Sequence, residues 1–251
     1  MKKTLAILGG MGPEASEYMY KTLIKMSIEK FGAVHNDQFP DIALLSVPVP
    51  DFISDENSKK TALKMLKSRV RMIDSKQVLC FSIACNTAHL LLDDLQKETK
   101  VPFVSMIGEM VKQVQKGGYK KIGLMGTPTT LRTGLYSQTL KKVGVESVLP
   151  NPKQIEQLEQ IIRGVIAGKN GKREELLLIK IADSLVSKGA EAVILGCTEL
   201  PLVFPAKYRV PSFNSIAVLA EALLTQYYHS LNRKEETFMF KGGDKRWQKE
   251  E

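Results

Sequence analysis

"QVLCFSIACNTAH" (77–89) and "AEAVILGCTELPL" (190–202) decide the reading of this chain. Each is an apolar run of strand length that ends in a cysteine, and polar residues follow at once: Asn86 and Thr87 in the first, Thr198 and Glu199 in the second. The two lie about 112 positions apart. A second pair shares nearly that offset: "KKTLAILGGMGP" (2–13) and "YKKIGLMGTPTT" (119–130) are about 117 apart. Near-equal offsets imply two copies of one unit. Taken alone, Cys85 has three readings: a nucleophile or base, half of a metal site with His89 four residues on, or a small buried residue.

Working outward, strand-like runs alternate with helical stretches throughout. "TLAILGG" (4–10), "DIALLSVPVP" (41–50), "QVLCFSIAC" (77–85) and "VPFVSM" (101–106) read as strands of the first copy. "KKIGLMG" (120–126), "VESVLP" (145–150) and "AEAVILGC" (190–197) read as strands of the second. Helices are expected at 14–31, 59–75, 87–99, 107–118, 132–144, 155–168, 173–189 and 216–231. Such alternation calls for mostly parallel sheets covered by helices. The expected fold is α/β: two similar half-domains, 1–100 and 101–210, related by a pseudo-two-fold axis with the active site between them. The closing helix within 211–231 is expected to pack back on the first half. The mixed-charge stretch 232–251 is read as a tail.

Ligands of open parallel sheets bind outside the carboxyl ends of the strands. The repeat therefore predicts one cleft lined by Gly9–Pro13, Cys85–His89, Gly126–Thr130 and Gly196–Leu200. Cys85 and Cys197 would face each other there, each before a helix start whose N–H groups favour thiolate. Those N–H groups, the hydroxyls of Thr87 and Thr198 and the amide of Asn86 would cradle a carboxylate. Two thiols on opposite sides of an anion suit inversion of a carbon acid, with one thiolate removing the α-proton and the other thiol delivering one to the opposite face. Cys80, five residues before Cys85 and without polar neighbours, is assigned to the core.

Composition narrows the function classes. The chain has 251 residues, of which 43% are hydrophobic, and no apolar run long enough to span a membrane. The three cysteines and three histidines include no CxxC pair, so neither a disulfide scaffold nor a structural zinc site is expected, and no metal is expected at the site. The formal charge of +9 comes from scattered lysines and arginines and is read as a solvated surface, not a nucleic-acid site. "GGMGPEA" (9–15) lacks the spacing of a dinucleotide loop and a Walker lysine; its glycines are read as allowing close backbone approach to a small ligand. The expectation is a soluble, cytoplasmic protein without membrane or nucleic-acid partners.

"GGMGPEAS", "CNTAH" and "GCTELPL" together resemble the aspartate/glutamate racemase family, its aspartate-racemase-type branch most of all, over about residues 1–225. The resemblance implies an isomerase, a racemase of amino acids that uses no cofactor (neither pyridoxal phosphate nor metal) and forms a homodimer. Carried over by motif, Cys85 and Cys197 are catalytic. Met11, Asn86, Thr87, Thr127, Thr130 and Thr198 fall at substrate positions, with His89 and Glu199 as auxiliary polar neighbours. Two departures concern specificity. Aspartate-acting members carry an arginine where this chain has Phe52 and a lysine where it has Ile166. Both cations that would hold a side-chain carboxylate are then missing, so a neutral or larger amino acid, or a broad range, is expected. An aspartate or glutamate racemase proper, a related two-cysteine isomerase (a hydantoin racemase or a maleate isomerase) and a small-molecule-binding protein without turnover are the alternatives.

Overall fold

A computed structural model describes residues 3–51, 58–73 and 75–241, the last ten of these as backbone only. The first half contains β1 (Thr4–Gly9), α1 (Pro13–Phe31), β2 (Ile42–Ser46), α2 (Lys59–Met72), β3 (Val78–Ile83), α3 (Leu92–Gln96), β4 (Phe103–Val104) and α4 (Met106–Lys116). The second contains β5 (Lys121–Gly126), α5 (Pro128–Arg132), α6 (Ser137–Lys142), β6 (Glu146–Val148), α7 (Pro152–Ile166), α8 (Lys172–Ser187), β7 (Ala192–Gly196) and β8 (Ser212–Asn214), and α9 (Ser215–Lys241) closes the chain.

The repeat is visible in the topology. Both sheets are four-stranded and parallel, ordered β2-β1-β3-β4 and β6-β5-β7-β8. The central strands explain why their sequences are continuous apolar runs rather than alternating ones: Leu5 to Leu8 and Val193 to Leu195 are covered on both faces by helices. In each sheet the chain leaves the first strand to one side and returns on the other. The loops after β1 and β3, and after β5 and β7, therefore part and leave a crevice at the carboxyl ends.

Local signals set the helix ends. Pro13 and Pro152 occupy first-turn positions where no N–H is needed. Asn151 and Gln154 form a capping box on α7. In α9, Ile216, Leu219, Ala220, Leu223, Leu224 and Tyr227 recur at helical spacing, and all are fully buried against α1 and α4.

Several elements differ from the sequence reading. Residues 87–99 are a 3-10 segment (Thr87–Leu91) followed by the short α3. The expected helix 132–144 begins only at Ser137, after the separate α5. Strand β8 has three residues, too few to show a pattern. Helix α9 runs ten residues past the expected end at 231, because no glycine or proline interrupts it before Gly242. Residues 232–241 of the stretch read as a tail are thus helical, and 242–251 lie outside the described residues.

The turn after β1 is the tightest backbone packing near the crevice. Gly10 has φ +88°, and a Cβ there would sit 2.3 Å from the Val47 nitrogen. Gly10→Ala is expected to destabilise the fold by about 2–3 kcal/mol through strain and overlap. Urea unfolding of both proteins checks this, and a loss below about 0.5 kcal/mol would contradict it.

Candidate active site

The carboxyl ends of the central strands do meet in one cavity of about 260 Å³. That volume suits a molecule of amino-acid size. Its wall comes from Gly10 to Pro13 after β1, Cys85 and Thr87 after β3, Thr127 after β5, and Cys197 and Glu199 after β7. The loop after β2 adds Val49, Pro50 and Asp51, and α7 adds Arg163 and Ile166. Both cysteines are nearly enclosed, and Cys80 is wholly buried in the first-half core.

Of the residues singled out from sequence, Met11, Cys85, Thr87, Thr127, Ile166, Cys197 and Glu199 line the cavity. Thr130 stands behind it: Thr87, Thr127 and Thr130 form a closed triangle of hydroxyl hydrogen bonds of 2.9–3.0 Å that joins the two halves. Phe52 lies outside the described residues. Two of the expected substrate neighbours have other partners. Asn86 is not in the cavity wall; its Oδ1 accepts from the Tyr136 hydroxyl and its Nδ2 donates to Ser215 Oγ. Thr198 is not in the wall either, since its hydroxyl donates to Glu199 Oε2 at 3.0 Å. In the repeat, Asn86 and Thr198 are equivalent positions, and both serve the frame of the site.

His89 also has a framing place. Its Nε2 accepts the Met106 N–H at 2.9 Å, so Nδ1 carries the proton and donates to the Cys85 carbonyl at 2.8 Å. Both ring nitrogens are thereby engaged, which removes the reading of His89 and Cys85 as paired metal ligands. The imidazole links the end of β3 to the first turn of α4.

Glu199 is the most enclosed carboxylate of the cavity. Its Oε1 accepts the Gly12 N–H at 3.1 Å, from the opposite half. Its Oε2 accepts the Cys197 thiol at 2.9 Å. Asp51 and Arg163 form a further connection between the halves, an ion pair of 2.6 Å, and Arg163 Nε also bonds Glu159 at 2.9 Å. A sequence signal for Arg163 existed: it lies one turn before Ile166 and so shares its helix face. Asp51 likewise follows a parallel strand out of its carboxyl end.

The sequence pattern of the Asp/Glu/Hydantoin racemase family matches residues 8–223. The chain belongs to this family. It is 25% identical over 232 residues to the broad specificity amino-acid racemase RacX of Bacillus subtilis (strain 168), covering 89% of this chain and 97% of that protein. An aspartate racemase homologue from Pyrococcus horikoshii OT3 has a solved structure of 33% identity and TM-score 0.76, covering 91% of this chain and all of the other. The aspartate racemase of Picrophilus torridus gives 25% identity and TM-score 0.77, over 90% and 94% of the two chains.

In this member of the racemase family the thiols are not poised as thiolates, contrary to the expectation from helix starts. Burial pushes Cys85 up to about 12, with the nearby Glu199 charge adding to it; the Ala88 and Thr87 N–H groups oppose the shift without overcoming it. Cys197 is likewise raised well above an ordinary thiol, by burial first and then by the Glu199 charge and hydrogen bond. The helical segments that follow are only five and three residues long, so they supply little dipole against desolvation.

Burial also lowers His89 to about 4, overcoming its hydrogen bonds to the Cys85 and Asn86 carbonyls. Between that value and the unfolded histidine range near 6.5, the unfolded chain takes up a proton that the folded one refuses. Stability from neutral His89 is therefore present above about pH 6.5 and lost as pH falls toward 4, by about 3 kcal/mol at most. Urea unfolding at pH 7.5 and 4.5 tests this: His89→Gln is expected to lose less stability over that interval than the natural protein. Equal losses would contradict it.

Proposed function

We propose that this protein racemises an amino acid by a two-base mechanism in which Cys85 and Cys197 act on opposite faces of the α-carbon, without pyridoxal phosphate. The observation that carries the reading is the placement of two enclosed thiols, at repeat-equivalent strand ends, in the wall of one cavity of amino-acid size. One cysteine removes the α-proton as thiolate, and the other donates a proton from its thiol to the opposite face. The roles exchange with the direction of reaction.

The raised thiols set the first requirement, which is formation of a thiolate. Glu199 Oε2, 2.9 Å from the Cys197 sulfur, accepts that proton. A substrate α-ammonium entering the cavity adds positive charge beside the sulfurs and favours the thiolate. On the other side, the Thr87 and Ala88 N–H groups stabilise negative charge on Cys85. As the α-proton leaves, charge develops on the substrate carboxylate, and the Thr87 and Thr127 hydroxyls in the cavity wall donate to it by turning out of their triangle with Thr130.

A neutral or larger side chain, or a broad range, fits the wall better than an acidic one. Ile166 is apolar, and Arg163 is already held by Asp51 and Glu159. An acidic side chain would enter beside Asp51 and Glu199 and have to compete with Asp51 and Glu159 for the Arg163 guanidinium. Similarity to the broad specificity racemase of B. subtilis supports the same reading. The working form is proposed to be a cytoplasmic homodimer; among the described residues no helix is long and apolar enough to cross a membrane.

The test is α-hydrogen exchange in D2O, followed by proton NMR across a panel of amino acids, with no added cofactor. Exchange is expected with at least one neutral amino acid, and Cys85→Ser and Cys197→Ser should each lower interconversion of its enantiomers, followed by circular dichroism, about a thousandfold or more. Interconversion surviving undiminished in either variant would overturn the two-thiol mechanism, whereas exchange of one enantiomer with retention needs only the remaining thiol. A folded natural protein that exchanges no amino acid would overturn the function.

A further inference from the structure

The residues next to the two cysteines belong to different halves, and they meet at one side chain. Tyr136, at the start of α6, is buried in the second-half core and stands outside the cavity wall. Its backbone is fixed by α6, since its carbonyl accepts the Leu140 N–H at 2.8 Å. Its ring lies on Gly196, the residue before Cys197: a Cβ there would come within 3.1 Å of a ring carbon. Its hydroxyl crosses to the first half and donates to Oδ1 of Asn86, the residue after Cys85, at 2.5 Å. Asn86 Nδ2 donates in turn to Ser215 Oγ at 3.0 Å, at the start of α9. Burial first and then the charge of Cys197 push the Tyr136 hydroxyl up, which keeps it a neutral donor.

We infer that Tyr136 is a positioning residue for the reaction: its ring fixes the end of β7 before Cys197, its hydroxyl fixes the loop after Cys85, and together they keep the two sulfurs opposed across one carbon. The inference rests on the racemase reading and adds to it a residue outside the cavity wall. The threonine triangle that also joins the halves opens when its hydroxyls turn to the substrate carboxylate. The Tyr136 crosspiece faces no substrate and stays closed through the reaction. Inversion needs both thiols in register, because one removes the α-proton and the other delivers a proton from the opposite face. Return of a proton to the face it left needs only the first thiol. A loosened crosspiece therefore slows delivery from the far side and lengthens the life of the carbanion. The near thiol then has time to exchange its proton with D2O and to return a deuteron to the face it deprotonated.

The experiment takes the amino acid of the panel that the natural protein interconverts fastest, turns over each enantiomer in D2O, and separates the enantiomers for mass analysis. Each run gives two rates: inversion, and deuterium uptake into the starting enantiomer. Tyr136→Phe removes the hydroxyl and keeps the ring. It is expected to lower kcat for inversion about ten- to a hundredfold with KM within about twofold, and to raise the ratio of exchange with retention to inversion about tenfold or more. Asn86→Ala cuts the crosspiece at its other end and is expected to move the ratio the same way. Tyr227→Phe removes another buried hydroxyl, bonded to the Phe39 carbonyl outside the cavity wall, and is expected to leave the ratio unchanged. Because each ratio is taken within one protein, partial loss of folded material does not change it. A ratio unchanged in Tyr136→Phe, or in Asn86→Ala should the first variant not fold, would overturn the inference even if inversion slows, and would leave the racemase reading standing. An equal rise in Tyr227→Phe would overturn it too. A natural protein that exchanges no amino acid would overturn both the inference and the racemase reading.

Discussion

One enclosed carboxylate ties this site together. Glu199 lies in the second half, and it is only 3% exposed. An ionised group so placed requires hydrogen-bond partners, because desolvation without them is prohibitive. It takes one from Gly12 in the first half and two from its own, Thr198 and the thiol of Cys197. The need to satisfy one charge thus brings the turn after β1 against the end of β7. That contact forms one boundary of the cavity. A Cβ on Gly12 would approach Glu199 Oε1 to 3.1 Å, so a glycine at this position suits the close approach of backbone to carboxylate.

The two halves share topology without sharing chemistry. Superposed by the repeat, Thr87 corresponds to Glu199. At that position the first half supplies a hydroxyl that joins Thr127 and Thr130, and the second supplies a charge that bonds a thiol. Cys85 is accordingly influenced by backbone N–H groups, and Cys197 by a carboxylate. In the proposed mechanism this asymmetry matters: the two thiols are expected to reach the thiolate by different routes, although they face the same carbon. The Asn86 bridge to Tyr136 and Ser215 and the His89 bridge to Met106 hold the Cys85 loop from behind. Polar groups that resembled substrate ligands in the sequence are in these cases the supports of the loop.

Much of the architecture was legible because parallel strands buried on both faces announce themselves as unbroken apolar runs. "LAIL" and "AVIL" mark the two sheet centres, and the offset between the cysteine motifs marks the repeat. Short or indirect features were not. Strand β8 is three residues of a sheet edge, and α9 extended into a stretch whose mixed charge looked like a tail. Helix starts at Thr87 and Leu200 were visible as punctuation, but their length was not, and length decides whether a dipole offsets burial at a thiol. The pairing of Asp51 with Arg163 spans 112 positions, and no local pattern couples residues that far apart.

The most direct test of the two-base account is isotopic and needs only early time points. One enantiomer of an active amino acid, with hydrogen at the α-carbon, is turned over in D2O, and both enantiomers are separated and analysed by mass. Two opposed thiols predict deuterium in the newly formed enantiomer, because its hydrogen comes from a cysteine that had exchanged with solvent, while the remaining starting enantiomer keeps its hydrogen. Original hydrogen carried into the product, or deuterium appearing as fast in the starting enantiomer as in the product, would mean that one base serves both faces, and the central claim would fail.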